Sequence, residues 1–363
     1  MNSGLHTGKA PTKNTKTPRL GSIMNIAPAE HITDADAQGV EFLLAEDGHA
    51  IPLRHWPVEH PKALIHIAHG MSEHSGLYAD AAAIFNAAGY AVMAHDHRCH
   101  GLSVPITALG ETSEHQHWEA VCADMRSVNS HGKSVYPEAP WILLGHSMGS
   151  FISLSFAERH SQLIDLLVLQ GTNYEAPWFT WAAHWFASFE CWRQGENARS
   201  PIIHALTFGK FARAFKSGTE YDWLSRDANF VQRYLNDPRC GVTCTNGFWR
   251  DLLEGLSRTQ RMTNLRKIRK DLPIYSFAGA KDPVGKEGVT VAILDDKLEA
   301  AGMRDVTLKI YEDARHDLFH ETNSAEVMSD LIRWLDETLA RVAQPACALK
   351  PAQEPAAWLA GST

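Results

Sequence analysis

Apolar residues along this chain gather in short blocks separated by longer amphipathic stretches. The blocks at 63–68, 90–94, 141–144, 164–169, 272–278 and 306–311 are of strand length. They are rich in branched and aromatic side chains, the pattern of strands buried on both faces. Between them, residues 78–88, 117–136, 150–158, 289–301 and 325–342 carry helical spacing. In 117–136, for example, Trp118, Val121, Cys122, Met125 and Val128 fall on one face. Ahead of the first block, residues 40–44 and 49–56 flank Glu46-Asp47-Gly48, a hairpin signal. Strand–helix alternation of this kind predicts an α/β fold: a mainly parallel sheet flanked by helices.

The alternation stops at Thr172 and resumes near residue 266. Residues 173–265 show helix signals and no strand pattern, so they read as a helical cap inserted into one α/β core made of 36–172 and 266–342. Residues 1–35 read as a flexible basic leader, with Lys9, Lys13, Lys16 and Arg19 and no acid in the first twenty positions. No apolar run of export-signal length follows them. Residues 343–363, with Pro345, Pro351 and Pro355, read as a flexible tail.

Composition narrows the class. The chain has 363 residues, of which 44% are hydrophobic, enough for a sizeable core. A net charge of -8 argues against nucleic acid as a partner. Its six cysteines form no metal or redox pattern, which predicts a reduced, cytoplasmic protein. No apolar stretch approaches the length of a membrane span.

The candidate chemistry centres on Gly145-His146-Ser147-Met148-Gly149, set between a strand pattern and a helix pattern. That is the Gly-x-Ser-x-Gly elbow in its strand–turn–helix context. The glycines are needed because side chains there would strike neighbouring backbone, and the following helix turns its free N–H groups towards the serine. A serine needs a base, and the base an orienting carboxylate. Parallel strands deliver such groups from their carboxyl ends. Asp282 follows the strand that ends at Ala278, and His316 follows the strand that ends at Tyr311. The order Ser147, Asp282, His316 is that of this elbow class. His320 is the nearest rival for the base, but only His316 stands just after the last strand. The N–H of Met148 and that of Met71, in the loop His69-Gly70-Met71, are the candidate oxyanion donors. His69 is read as a brace for that loop.

Three other readings compete. His95, His97 and His100 are dense enough to suggest zinc, but there is no His-Glu-x-x-His and a single loop rarely closes a site; no cofactor is expected. A peptidase would need clustered acids in the cap, and none is identified. A non-catalytic binding protein would have no use for an intact triad.

Several motifs in order carry a resemblance. They are His69-Gly-Met-Ser-Glu-His-Ser-Gly-Leu-Tyr78, Ala94-His-Asp-His-Arg-Cys-His-Gly-Leu-Ser103, the elbow, Asn236-Asp-Pro-Arg-Cys240, and His316 with Glu321. Over residues 38 to 340 the chain resembles the monoglyceride lipase/lysophospholipase branch of the α/β-hydrolase fold. The resemblance implies a serine ester hydrolase with a mobile helical lid, acting on one acyl chain attached to a small polar head. It also implies that Glu73 and His146 line the head-group end. Leu77 stands where that family usually has arginine, and Cys99 and Ser150 where it has glycine. The lost arginine removes a polar arm for a glycerol or phospholipid head, so small xenobiotic esters stand as alternatives beside monoacylglycerols and lysophospholipids.

Within the insertion, residues 177–194 open with Pro177 and are followed by Gly195. Trp178, Trp181, Trp185 and Trp192 make a broad aromatic face there. Either the face packs the cap onto the core, or Trp181 and Trp185 wall an acyl tunnel and touch a lipid surface when the lid opens.

Overall fold

The computed structural model describes residues 38–112, 118–215 and 218–343. The expected leader and all but the first residue of the expected tail lie outside them. Eight strands form one sheet: β1 (Val40–Leu44), β2 (Ala50–Trp56), β3 (Leu64–Ala68), β4 (Ala91–His95), β5 (Trp141–His146), β6 (Leu166–Gln170), β7 (Ile274–Gly279) and β8 (Val306–Tyr311). Their order is β1-β2-β4-β3-β5-β6-β7-β8. β2 runs antiparallel to β1 and β4, and every other neighbouring pair is parallel. The hairpin expected around Gly48 is formed, with Gly48 at φ +86° closing the turn.

Strands β3 to β7 are buried at every position, as their unbroken apolar runs require, whereas β8 at the sheet edge is partly exposed. The core helices are α1 (Ala79–Ala87), α2 (Trp118–Val135) and α3 (Met148–His160), and after the insertion α10 (Val289–Ala300) and α11 (Ser324–Val342). One apolar layer contains Met125, Trp141, Phe156 and Leu298. The other, across the sheet, contains Phe85, Phe277, Val327 and Leu331. β5 extends two residues past its apolar run, because Gly145 and His146 still pair with Leu169 and Gln170 of β6. That extension carries Ser147 to the carboxyl edge of the sheet at its centre.

Between β6 and β7 the described chain is helical, with α4 (Pro177–Gln194), α5 (Pro201–Leu206), α6 (Phe208–Arg213), α7 (Ala228–Asn236), α8 (Asn246–Arg258) and α9 (Met262–Leu265). A third apolar cluster, with Trp223, Phe230 and Tyr234 among its members, sits within this insertion. Against it packs Leu77 from the core side, so the two parts share a packed seam.

Candidate active site

Ser147 has φ 51° and ψ -118°, a conformation that L-residues rarely adopt. The local packing enforces it. A Cβ on Gly145 would collide with the backbone of Gly149, and a Cβ on Gly149 would collide with the carbonyl of Ala68 at the end of β3. The Ser147 N–H donates to the Gln170 carbonyl at 2.9 Å, which pins the turn to β6. Met148 is the first residue of α3, so its N–H has no acceptor within the helix.

His316 is 1% exposed, and its Nδ1 lies 2.9 Å from Asp282 Oδ2. The other Asp282 oxygen, Oδ1, accepts from the Val284 N–H. With Nδ1 donating, His316 presents the lone pair of Nε2, which bonds to no described protein group. Burial acts to lower the His316 pKa, but the Asp282 carboxylate outweighs it and the net direction is upwards. The insertion holds the same loop, since the His316 and Asp317 N–H groups donate to the carbonyls of Trp223 and Leu224.

Ser147, His316, Met71, Met148, Glu73 and His146 all line one cavity of about 200 Å³. Its apolar wall comes from residues that the sequence reading did not single out: Phe208 and Phe211 of α6, Trp223, and Trp249, Leu252 and Leu256 of α8. The last three recur at helical spacing, a signal legible in the sequence.

Its polar end is a buried network. Glu73 Oε1 accepts from the Gly70 N–H and from the Tyr78 hydroxyl. Glu73, His146 and Asp317 bring one ligating atom each within 4.8 Å of one another. Asp317 Oδ2 lies 2.8 Å from Nδ1 of His320, whose Nε2 lies 3.0 Å from the carbonyl of Leu77. Carboxylate and carbonyl both accept, so His320 makes both bonds only as the doubly protonated cation. Burial disfavours that charge, yet Asp317 turns the His320 pKa upwards, while His320 holds the Asp317 carboxyl down against its own burial. Phe230 of α7 stacks on His320 with ring centroids 4.1 Å apart. A cation thus stands beside Leu77, bonded to its carbonyl.

His69 acts as a brace. Its Nδ1 donates to the Gly70 carbonyl at 2.7 Å, and its Nε2 accepts from the His97 N–H at 2.9 Å. Those partners fix one neutral tautomer, and burial lowers its pKa to about 3. The loop of His95, His97 and His100 does not converge on a metal-ligand set among the described residues. Asp96 instead accepts from Ser75 and Leu102, and Arg98 pairs with Asp47 and Asp124.

Trp181 and Trp185 are not brought to the site. They are 59% and 58% exposed and do not line the cavity. Helix α4 turns Thr180, Ala187 and Glu190 inwards, small or hydrogen-bonded side chains that let it lie close along α8. The bulky aromatics are therefore rotated outwards. Packing onto the core, the other reading of this face, does not describe it either.

A Ser–His–Asp constellation above a mainly parallel sheet, reached through an inserted set of helices, is the architecture of an α/β-hydrolase. Residues 59–323 match Hydrolase_4, described as "Serine aminopeptidase, S33". The chain is 30% identical over 315 residues to a monoglyceride lipase of Rattus norvegicus, covering 84% of this chain and 92% of that one. It is 28% identical to a monoacylglycerol lipase of Mycolicibacterium smegmatis, over 77% and 90% of the two chains. Among solved structures, a thermostable carboxyl esterase from Bacillus coagulans aligns with a TM-score of 0.75 at 23% identity, covering 83% of this chain and 98% of that one. The chain belongs to this hydrolase family, and its class is that of the carboxylic ester hydrolases.

Proposed function

We propose that this protein cleaves single-acyl carboxylic esters, monoacylglycerols foremost, with Ser147 as nucleophile, His316 as base and Asp282 as its orienting carboxylate. The observation that carries the reading is the meeting of the strained serine with the His316–Asp282 pair in a cavity that is apolar along one wall and polar at one end. An acyl chain would lie against Phe208, Trp249 and Leu252, and a small hydroxylated head would face Glu73 and His146. His316 Nε2 takes the Ser147 proton as Oγ attacks the ester carbonyl. The N–H groups of Met71 and Met148 receive the oxyanion. His316 then returns the proton to the leaving alcohol, and water resolves the acyl-enzyme by the same steps in reverse order.

The names of the relatives favour monoacylglycerol. Leu77 favours a second substrate, a smaller ester without a phosphate-bearing head, because no arginine side chain reaches the head from that position. The exposed aromatics of α4, Trp178 and Trp192 foremost at 72% and 81% exposure, suit contact with a lipid surface, from which a single-chain ester would enter the cavity. Ser147→Ala should lower kcat by on the order of 10⁴ or more without unfolding the protein. The assay is hydrolysis of a chain-length series of monoacylglycerols and lysophospholipids. Retention of most activity by that variant would overturn the reading.

A further inference from the structure

A second concavity, of about 600 Å³, lies apart from the cavity around Ser147 and shares no lining residue with it. Its walls include Arg54 of β2, His74 of the loop after β3, Arg233 of α7 and Arg239 just beyond that helix. Asp237 is the one acid among its lining residues, and it is already engaged. Its Oδ2 accepts from His74 Nε2 at 2.9 Å and its Oδ1 from the Arg239 N–H at 2.8 Å. His74 Nδ1 accepts from the Gly76 N–H at 3.1 Å, so these bonds are made by a neutral ring and an ionised carboxylate. Three arginines and one carboxylate therefore line the groove, an excess of positive charge.

Arg54 Nε is buried and has no hydrogen-bond partner among the described residues. A buried charged donor without an acceptor is costly, and an anion in the groove would relieve that cost. Arg233 is exposed, with its guanidinium 6.0 Å from the Phe230 ring centroid. His74, Asp237 and Cys240 could also gather around a metal cation. Three arginines beside them oppose that, so the electrostatics choose an anion.

We propose that this groove binds a phosphate monoester. Guanidinium forks match phosphate oxygens two at a time, and Arg54, with its unpartnered Nε, and the exposed Arg233 supply them here. The volume exceeds that of a bare phosphate ion. Leu102, Ile106 and Pro238 supply apolar wall for a small organic group on the ester. The bound ester would also bridge two parts of the neighbouring site. Arg233 and Asn236 reach the groove from the helix whose Tyr234 lines the Ser147 cavity, and His74 follows Met71 in the same loop.

The test is calorimetric titration of the full chain with glycerol 3-phosphate and with inorganic phosphate at fixed ionic strength, beside sedimentation with vesicles of phosphatidylcholine with and without phosphatidic acid. Saturable binding of the free ester assigns a soluble ligand; binding only to phosphatidic acid vesicles assigns a lipid headgroup to the same groove. In either case Arg233→Ala should weaken binding about tenfold or more. Arg54→Lys, which keeps the charge and loses the fork, should weaken it as well. Ser147→Ala should bind as the wild type does, which separates this site from the hydrolytic one. No saturable binding to any of these probes, or binding unchanged in Arg233→Ala and Arg54→Lys, would overturn the proposal.

Discussion

Two histidines four positions apart carry charge in opposite ways. In the proposed mechanism His316 works as a base only while neutral, and Asp282 raises its pKa above the ordinary value of 6.5. Activity should therefore fall as pH drops through a point above 6.5, and kcat/KM measured against pH should show that acid limb. Asp282→Asn should move the limb to lower pH as well as lowering kcat. His320 works as a cation. Its folded pKa is raised, so the stability it contributes is full below its unfolded pKa and is lost as pH rises through the folded value. Each unit of that rise is worth about 1.4 kcal/mol. His320→Gln should melt lower than the wild type at about pH 6, and the gap should narrow towards about pH 9 as the wild type loses its proton. Thermal unfolding of both proteins across that range is the measurement; a constant gap would show that the ring does not change its charge within it.

At the scale of single elements, a helix's periodicity says which residues share a face but not where the face points. The aromatic face of α4 was legible in the sequence, and its direction was not. The direction is set by Thr180, Ala187 and Glu190, whose small or satisfied side chains allow a close approach to α8. Bulky rings between two helices would have held them apart. Because Trp181 and Trp185 stand in solvent, replacing either with alanine should shift stability by no more than about 0.5 kcal/mol. Turnover of a soluble short-chain ester should stay unchanged, while sedimentation with phospholipid vesicles should fall. Loss of activity on the soluble ester would place these rings in the cavity after all. The cavity wall was hidden for a related reason: Phe208, Trp223 and Trp249 come from separate segments, and no local pattern says that they converge.

For the molecule as a whole, the alternation of apolar blocks with helical spacing was enough to read the mainly parallel sheet. The positions of Ser147, Asp282 and His316 followed from strand ends, because a parallel sheet presents all of those ends along one edge. The close approach of the elbow helix to β3 rests on Gly149, which lies against the carbonyl of Ala68. Gly149→Ala should force α3 away from β3, cost about 1–3 kcal/mol in denaturant unfolding, and lower kcat by displacing the Met148 N–H. A stable, fully active Gly149→Ala protein would mean that the helix can shift without penalty.

The insertion between β6 and β7 also sets the order in which the enzyme can come into being. Synthesis delivers β1 to β6 and the strained serine first, then a run of helices that belongs to no strand, and only then the strands that bring Asp282 and His316. On the proposed triad, a growing polypeptide whose elbow has left the ribosome holds a nucleophile with no base. It cannot become a hydrolase until β8 has been added to the sheet edge and the loop after it has turned back towards the centre. Synthesis that stops anywhere within the insertion therefore yields an inert partial sheet, never a shortened enzyme.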